Sequence, residues 1–151
     1  MYLEEISDYK IKIMKALCQS KSIQKLVMLR ESTREGREMM YTNIYPYSFV
    51  PETVTKANTF ICFEIEVKRV LNRTFKEMDI IFWIFTHQSL IRTNEGIRPD
   101  VLSNEVDKIF NGSREFGLGT TELKIVSLVN PAKDYHGRTL VYKSTEFNRV
   151  V

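Results

Sequence analysis

The chain has 151 residues, of which 43% are hydrophobic and 27% are charged, and 22 basic against 19 acidic side chains leave a net charge of +3. These values are typical of one globular domain that can bury its own core, so we expect a single domain over residues 1–151. The charge is too small, and the basic residues are too scattered, to indicate nucleic-acid binding.

The first 29 residues are predicted to be helical. Apolar side chains recur at helical spacing over residues 6–17 and would form one apolar stripe on a helix of several turns. Ser22 is a candidate N-cap for a short second helix over residues 23–27. The N-terminal segment therefore resembles helices that cover a sheet.

Residues 30–58 are predicted to form a long extended loop, because two prolines exclude helix and favour extended backbone. Tyr45, Tyr47 and Phe49 alternate along it. A loop of this length is unusual inside a compact domain unless it packs on something. The three aromatic side chains either fold back on the chain's own core or contact a neighbouring subunit.

Residues 59–151 are predicted to form a ββαββ core. The first strand alternates apolar residues with Glu64, Glu66 and Lys68, so one of its faces is predicted to be exposed to solvent (the wet strand face). The second strand, within residues 77–88, is apolar on both faces, as in a central strand or a strand covered by another chain. Their short connection predicts an antiparallel hairpin.

The second half of this core begins with a helix near Pro99, which is followed by strands over residues 121–129 and 137–147. The expected fold class is α+β, with a mainly antiparallel four-stranded sheet, helices packed on one face and the order α-ββ-α-ββ.

No catalytic, metal or cofactor site is predicted. His87 and His136 have no partners at metal-ligand spacing, and no motif supports a nucleophilic pair between His87 and Cys62. Cys18 and Cys62 both have apolar neighbours, which is typical of small buried side chains. The glycines within 117–119 precede a strand, whereas a dinucleotide-binding loop follows one.

The start of the chain lacks the basic and apolar regions of a secretory signal, and no apolar run is long enough to cross a bilayer. We therefore expect the chain to fold in a reducing cytoplasm and to have no membrane partner.

The segment from Tyr45 to the C-terminus resembles a group of tailed-phage and prophage proteins. The residues that carry the resemblance are IYPYSFVPETVTKANTFICFEI, IIFWIFTHQSLIRTNEGIRPDVLSNEVDKIFNGSREFGLG and PAKDYHGRTLVYKSTEFN. The chain looks like a tail terminator, also called a tail completion or head–tail joining protein. Members of this group are small α+β subunits that form a hexameric ring on the tail tube of phages and of contractile phage-like particles.

The resemblance implies a virion structural protein of the host cytoplasm and then of the particle, which binds itself, the tail tube protein and neck, connector or sheath proteins. We expect the 43–51 loop, with Tyr45, Tyr47 and Phe49, to contribute to subunit contacts. The same expectation holds for the wet strand face that Glu64, Glu66 and Lys68 form. Arg92 and Arg98, on the loop before the helix near Pro99, could line a lumen through which DNA passes, or could be ordinary solvent-facing charges.

Three alternatives stay open. The chain could be another neck component, such as a head-completion or stopper protein. It could instead be a small enzyme or ligand-binding domain with a deep pocket under the 89–98 loop. A modest nucleic-acid binder would show an affinity that falls steeply with salt.

Overall fold

The structure is a computed structural model that describes residues 3–49, 51, 56–117 and 119–147. Part of the predicted 30–58 loop, at residues 50 and 52–55, lies outside the described residues. The fold class is α+β, as the sequence predicted.

Three α-helices carry the helical patterns seen in the sequence. They are α1 Glu4–Gln19, α2 Lys21–Met28 and α3 Arg98–Phe110. The cap of α2 is Ser20 and not Ser22, because the Ser20 hydroxyl accepts a hydrogen bond from the backbone N–H of Ile23 at 3.3 Å. Pro99 lies in the first turn of α3, where its missing N–H removes no helical hydrogen bond.

The described strands form one large sheet and one small hairpin. They are β1 Ile44–Tyr45, β2 Thr59–Val70, β3 Phe75–His87, β4 Arg92–Thr93, β5 Gly96–Ile97, β6 Glu122–Val129 and β7 Tyr135–Phe147. The large sheet has the order β1-β2-β3-β7-β6, and β4 pairs with β5 alone. The β2–β3 and β6–β7 pairs are antiparallel, as predicted.

The predicted four-stranded antiparallel sheet and its α-ββ-α-ββ order are wrong in two respects. The sheet has five strands and is mixed, because β1 adds to it in parallel, with Ile44 opposite Ile61. The loop before α3 also contains the β4–β5 hairpin. The three added strands, β1, β4 and β5, have two residues each, too few to leave a pattern of alternating side chains.

The helices pack against one face of the sheet and form the main core with it. Leu102, Val106 and Phe110 of α3 are fully buried there, and the Phe110 ring lies 4.8 Å from that of Phe82. The Tyr142 hydroxyl donates a hydrogen bond to the Asp107 carboxylate at 2.6 Å, which joins α3 to β7. In the described part of the chain, no helix combines the length and the apolar character that crossing a bilayer requires.

The other face of the sheet carries no helix among the described residues, and we call it the open face. At one end of it, a second small core contains five buried residues. They are Tyr45, Phe60, Cys62, Phe85 and Tyr135. Because this cluster lies on the side away from the helices, both faces of β3 are buried at that end, which explains the doubly apolar pattern of this strand.

Candidate interaction surface

The large sheet has two edges, and the chain itself covers part of the first of them. β1 covers β2 at Ile61 and Cys62. The buried Asn43 amide holds the approach to β1 in place, donating to the Asn58 side chain at 2.9 Å and to the Thr59 carbonyl at 3.0 Å. This part of the edge offers no free strand to another chain, although β2 itself continues to Val70 without a paired strand on this side among the described residues.

Beyond β1, the β2 edge has no paired strand among the described residues and carries polar and charged side chains instead. The Glu64 carboxylate accepts a hydrogen bond from the backbone N–H of Ile65 at 3.1 Å and forms an ion pair with Lys10 of α1. Lys10 also donates to the Pro46 carbonyl at 2.9 Å, so that it bridges β2 and the chain that follows β1. Charged side chains at an edge are a common protection against unwanted strand pairing.

The aromatic loop packs on the covered part of this edge. The Tyr45 ring stacks on that of Phe49, with centroids 4.2 Å apart, and both lie against Phe60. Burial raises the pKa of the Tyr45 phenol. Tyr47 remains 45% exposed. Of the two alternatives for this loop, Tyr45 and Phe49 fold back on the chain's own core, and Tyr47 keeps the exposure that a subunit contact needs.

The second edge is β6, which is bare along most of its length. No strand pairs with its outer side among the described residues. Leu123, Ile125, Val126 and Leu128 are 37%, 47%, 53% and 72% exposed. Such an exposed apolar edge is a surface on which another strand can add.

The helix layer stops short of β6, which explains its exposure on both faces. The α3 helix packs on β3 and β7. Its end reaches only the start of β6, where the Asn111 side-chain oxygen accepts a hydrogen bond from the Leu123 N–H at 3.3 Å. Val126 pairs with Leu140, which is buried in the main core, but Val126 itself lies beyond the helices. The bare part of the edge therefore runs from Ile125 to Leu128, because Val129 is half-buried against the second small core.

The wet strand face predicted for Glu64, Glu66 and Lys68 lies on the open face. Lys68 contacts Glu66 at 3.3 Å and the buried Asp79 at 3.8 Å. Lys124 approaches Asp79 from β6 at 3.5 Å. Glu66 and Lys68 are exposed, whereas Glu64 is half-buried by its contact with α1. Their role in a subunit contact stays a prediction.

The two arginines predicted for a ring lumen differ from each other. Arg92 is exposed on β4. Arg98 is the first residue of α3, not a loop residue, and is only 7% exposed. Its guanidinium donates to the backbone carbonyls of Leu90 at 2.6 Å, Leu26 at 2.6 Å and Arg92 at 3.3 Å. Burial lowers the pKa of Arg98. This side chain joins α2, α3 and the β4–β5 hairpin, so little of it is left to face a lumen.

The residues with potential chemistry stay apart. Cys62 is opposite Trp83 on the neighbouring strand, while His87 lies at the end of that strand and contacts Ser89 at 2.8 Å. Burial raises the pKa of both cysteines, Cys18 and Cys62, to about 11. Within the described ranges, no three His, Cys, Asp or Glu side chains come together as metal ligands would.

The depression beside the 89–98 loop does not resemble a small-molecule site either. One of about 520 Å³ lies beside the 89–98 loop, where the ligand-binding alternative expected a deep pocket. Its lining is mostly charged and polar, with Lys25, Arg92, Glu95 and Glu105 among its side chains. Small-molecule pockets are mostly apolar.

The family of the chain is defined by a match over residues 12–144 to the family model named YomW. The chain therefore belongs to the YomW family, which is associated with phages and prophages. No curated protein and no solved structure matches the chain. The match includes all the strands of the large sheet except the last residues of β7.

Sequence reasoning missed the bare β6 edge. The segment reads as an ordinary strand with apolar residues, and its exposure depends on where the helices end. The one available signal was that strand residues 121–129 are less regular in their alternation than a strand with one buried face.

Proposed function

We propose that the chain is a structural subunit of a phage or phage-like particle, a tail terminator that assembles into a homohexameric ring on the tail tube. It would form in the host cytoplasm and join the tube to neck, connector or sheath proteins. Membership of a phage-associated family supports this class of function. The resemblance of residues 45–151 to tail terminators supports the particular role.

The bare β6 edge is the observation that carries the proposal. An apolar strand that is exposed at its edge and on both faces makes the free chain prone to aggregation. Such a strand is explained if assembly with another subunit covers it. A closed ring uses heterologous contacts, in which one face of a subunit meets a different face of the next. The β6 edge and the β1–β2 edge, with the exposed Tyr47, lie at opposite ends of the sheet, as such a contact requires.

The test is the mass of the protein in solution, measured by light scattering with and without tail tube protein. We expect a hexamer, or a smaller species that becomes a hexamer on the tube. Val126→Lys should prevent the ring. Ile11→Lys is the matched control, because both side chains are 53% exposed and both changes add one charge.

A chain that ignores tube protein at all concentrations would contradict the terminator role. Binding to a portal adaptor in place of the tube would instead assign the protein to the head side of the neck, as a stopper or head-completion protein.

A further inference from the structure

The free protein, before any ring forms, has an edge strand that needs a partner. We propose that two free copies cover it by pairing β6 with β6 antiparallel across a two-fold axis, with Ser127 on the axis. This dimer is a property of the free chain. It rests on the proposed function only in that ring assembly would later separate the two copies. Its support is the pattern of side chains along the bare part of β6.

The faces of β6 follow from its pairing with β7. After a shift between Leu123 and Ile125, the register is regular to the end of the strand. Val126 lies on the helix side, since its partner Leu140 belongs to the main core, and Leu128 shares that side. Ile125, Ser127 and Val129 therefore lie on the open face.

Antiparallel neighbours that stand opposite each other share a face. With Ser127 on the axis, Val126 of each copy stands opposite Leu128 of the other, on the helix side. Ile125 of each copy stands opposite Val129 of the other, on the open face, where Val129 is already half-buried against the second small core. Each apolar side chain in the overlap thus meets another apolar side chain, and the one polar residue meets its own copy.

Other registers fit less well. An axis at Val126 would place the charged Lys124 opposite Leu128, and an axis at Leu128 would place Ser127 opposite Val129 and shorten the overlap. A shift by a single residue would set the helix side of one copy against the open face of the other. Ser127 is therefore the axis that both the apolar pattern and the charges favour.

Charges at the two ends agree with this register. Glu122 and Lys124 fall outside the overlap, so no like charges meet. The turn that follows β6, which carries the exposed Lys133, also lies outside the overlap. Pro131, which has no backbone N–H, ends the stretch that can pair.

The test is a disulfide across the axis. Side chains directly opposite each other have Cβ atoms roughly 4.5–5.5 Å apart, close to disulfide geometry. Ser127→Cys should therefore link two copies under mild oxidation. The native Cys18 and Cys62 are fully buried, with pKa values raised to about 11, so they should not compete.

Glu122→Cys is the register control. It lies on the same strand and is exposed, but ten residues of extended chain would separate the two copies of this residue, roughly 33 Å. Ser127→Cys should be mostly a linked dimer under conditions that leave Glu122→Cys monomeric. Equal linking of both variants, or of neither, would overturn the proposal.

The same variant separates this inference from the proposed function. If both hold, oxidised Ser127→Cys should fail to form rings on tube protein, and reduction should restore them. Linking at Ser127 without any response to tube protein would contradict the ring and support the dimer. If Ser127→Cys forms rings on tube protein but never forms the disulfide-linked dimer, the ring is supported and the dimer is contradicted.

Discussion

The two edges of the five-stranded sheet differ in how far the chain covers them. At the β2 edge, the chain supplies β1, the buried Asn43 amide and the Lys10–Glu64 ion pair, which together cover the first half of the strand. At the β6 edge, Ile125, Val126 and Leu128 face solvent. Changes to the buried groups of the first edge should therefore reduce the stability of the fold, and changes to exposed side chains, such as those of β6 or Tyr47, should mainly alter association.

The largest loss of stability is expected from Tyr45→Ala. The ring is 8% exposed, stacks on Phe49 and contacts Phe60, so its removal leaves a cavity in the second core. The free energy of unfolding should fall by about 3 kcal/mol in urea denaturation. Tyr47→Ala, at a side chain 45% exposed, should change it by less than about 1 kcal/mol but weaken ring assembly. Equal losses for the two variants would contradict the placement of the loop.

Asn43→Ala should have a smaller effect on the same edge. It removes the amide that donates to the Asn58 side chain and the Thr59 carbonyl, and leaves a buried acceptor without its partner. The expected loss is about 1–2 kcal/mol, measured in the same way. Unchanged stability would show that β1 holds its place on β2 without this contact.

Lys10→Ala should cost less again. The ion pair with Glu64 is partly exposed, with side chains 23% and 34% accessible, so solvent screens it. We expect a loss below about 1 kcal/mol. The ionic part should shrink at high salt, so unfolding of wild type and variant compared at low and high salt is the measurement. A loss that salt leaves unchanged would assign the effect to the Lys10–Pro46 hydrogen bond instead.

Leu128→Lys should affect stability least. Because the side chain is 72% exposed, the free energy of unfolding should stay within about 0.5 kcal/mol of the wild type. Association should nevertheless be lost, as judged by sedimentation over a concentration series. A strongly destabilised variant would mean that β6 is covered within the free chain.

The elements that could be predicted from the sequence are those with a local pattern. The β2 and β3 strands alternate over many residues, and a short connection joins them, so their antiparallel pairing follows. The β1 strand has two residues, and its parallel pairing depends on contacts distant in sequence. No local signal distinguishes such a strand from loop.

The site was harder to predict, because exposure and burial depend on neighbours. Arg98 precedes a proline and resembles a loop charge, yet three backbone carbonyls from separate elements surround its guanidinium. In β6, the apolar residues resemble those of a buried strand. They are exposed because α3 packs over β3 and β7 and does not extend over β6.

Hydrogen exchange at the two edges tests the central claim most directly. The backbone amides of β6 and β2 would be compared in the wild-type protein across a concentration series, and then with tube protein. We predict that protection of residues 125–129 rises with concentration while protection of residues 61–65 stays constant. Residues 125–129 that exchange at the same rate at every concentration, with and without tube protein, would contradict the claim that β6 is an association edge.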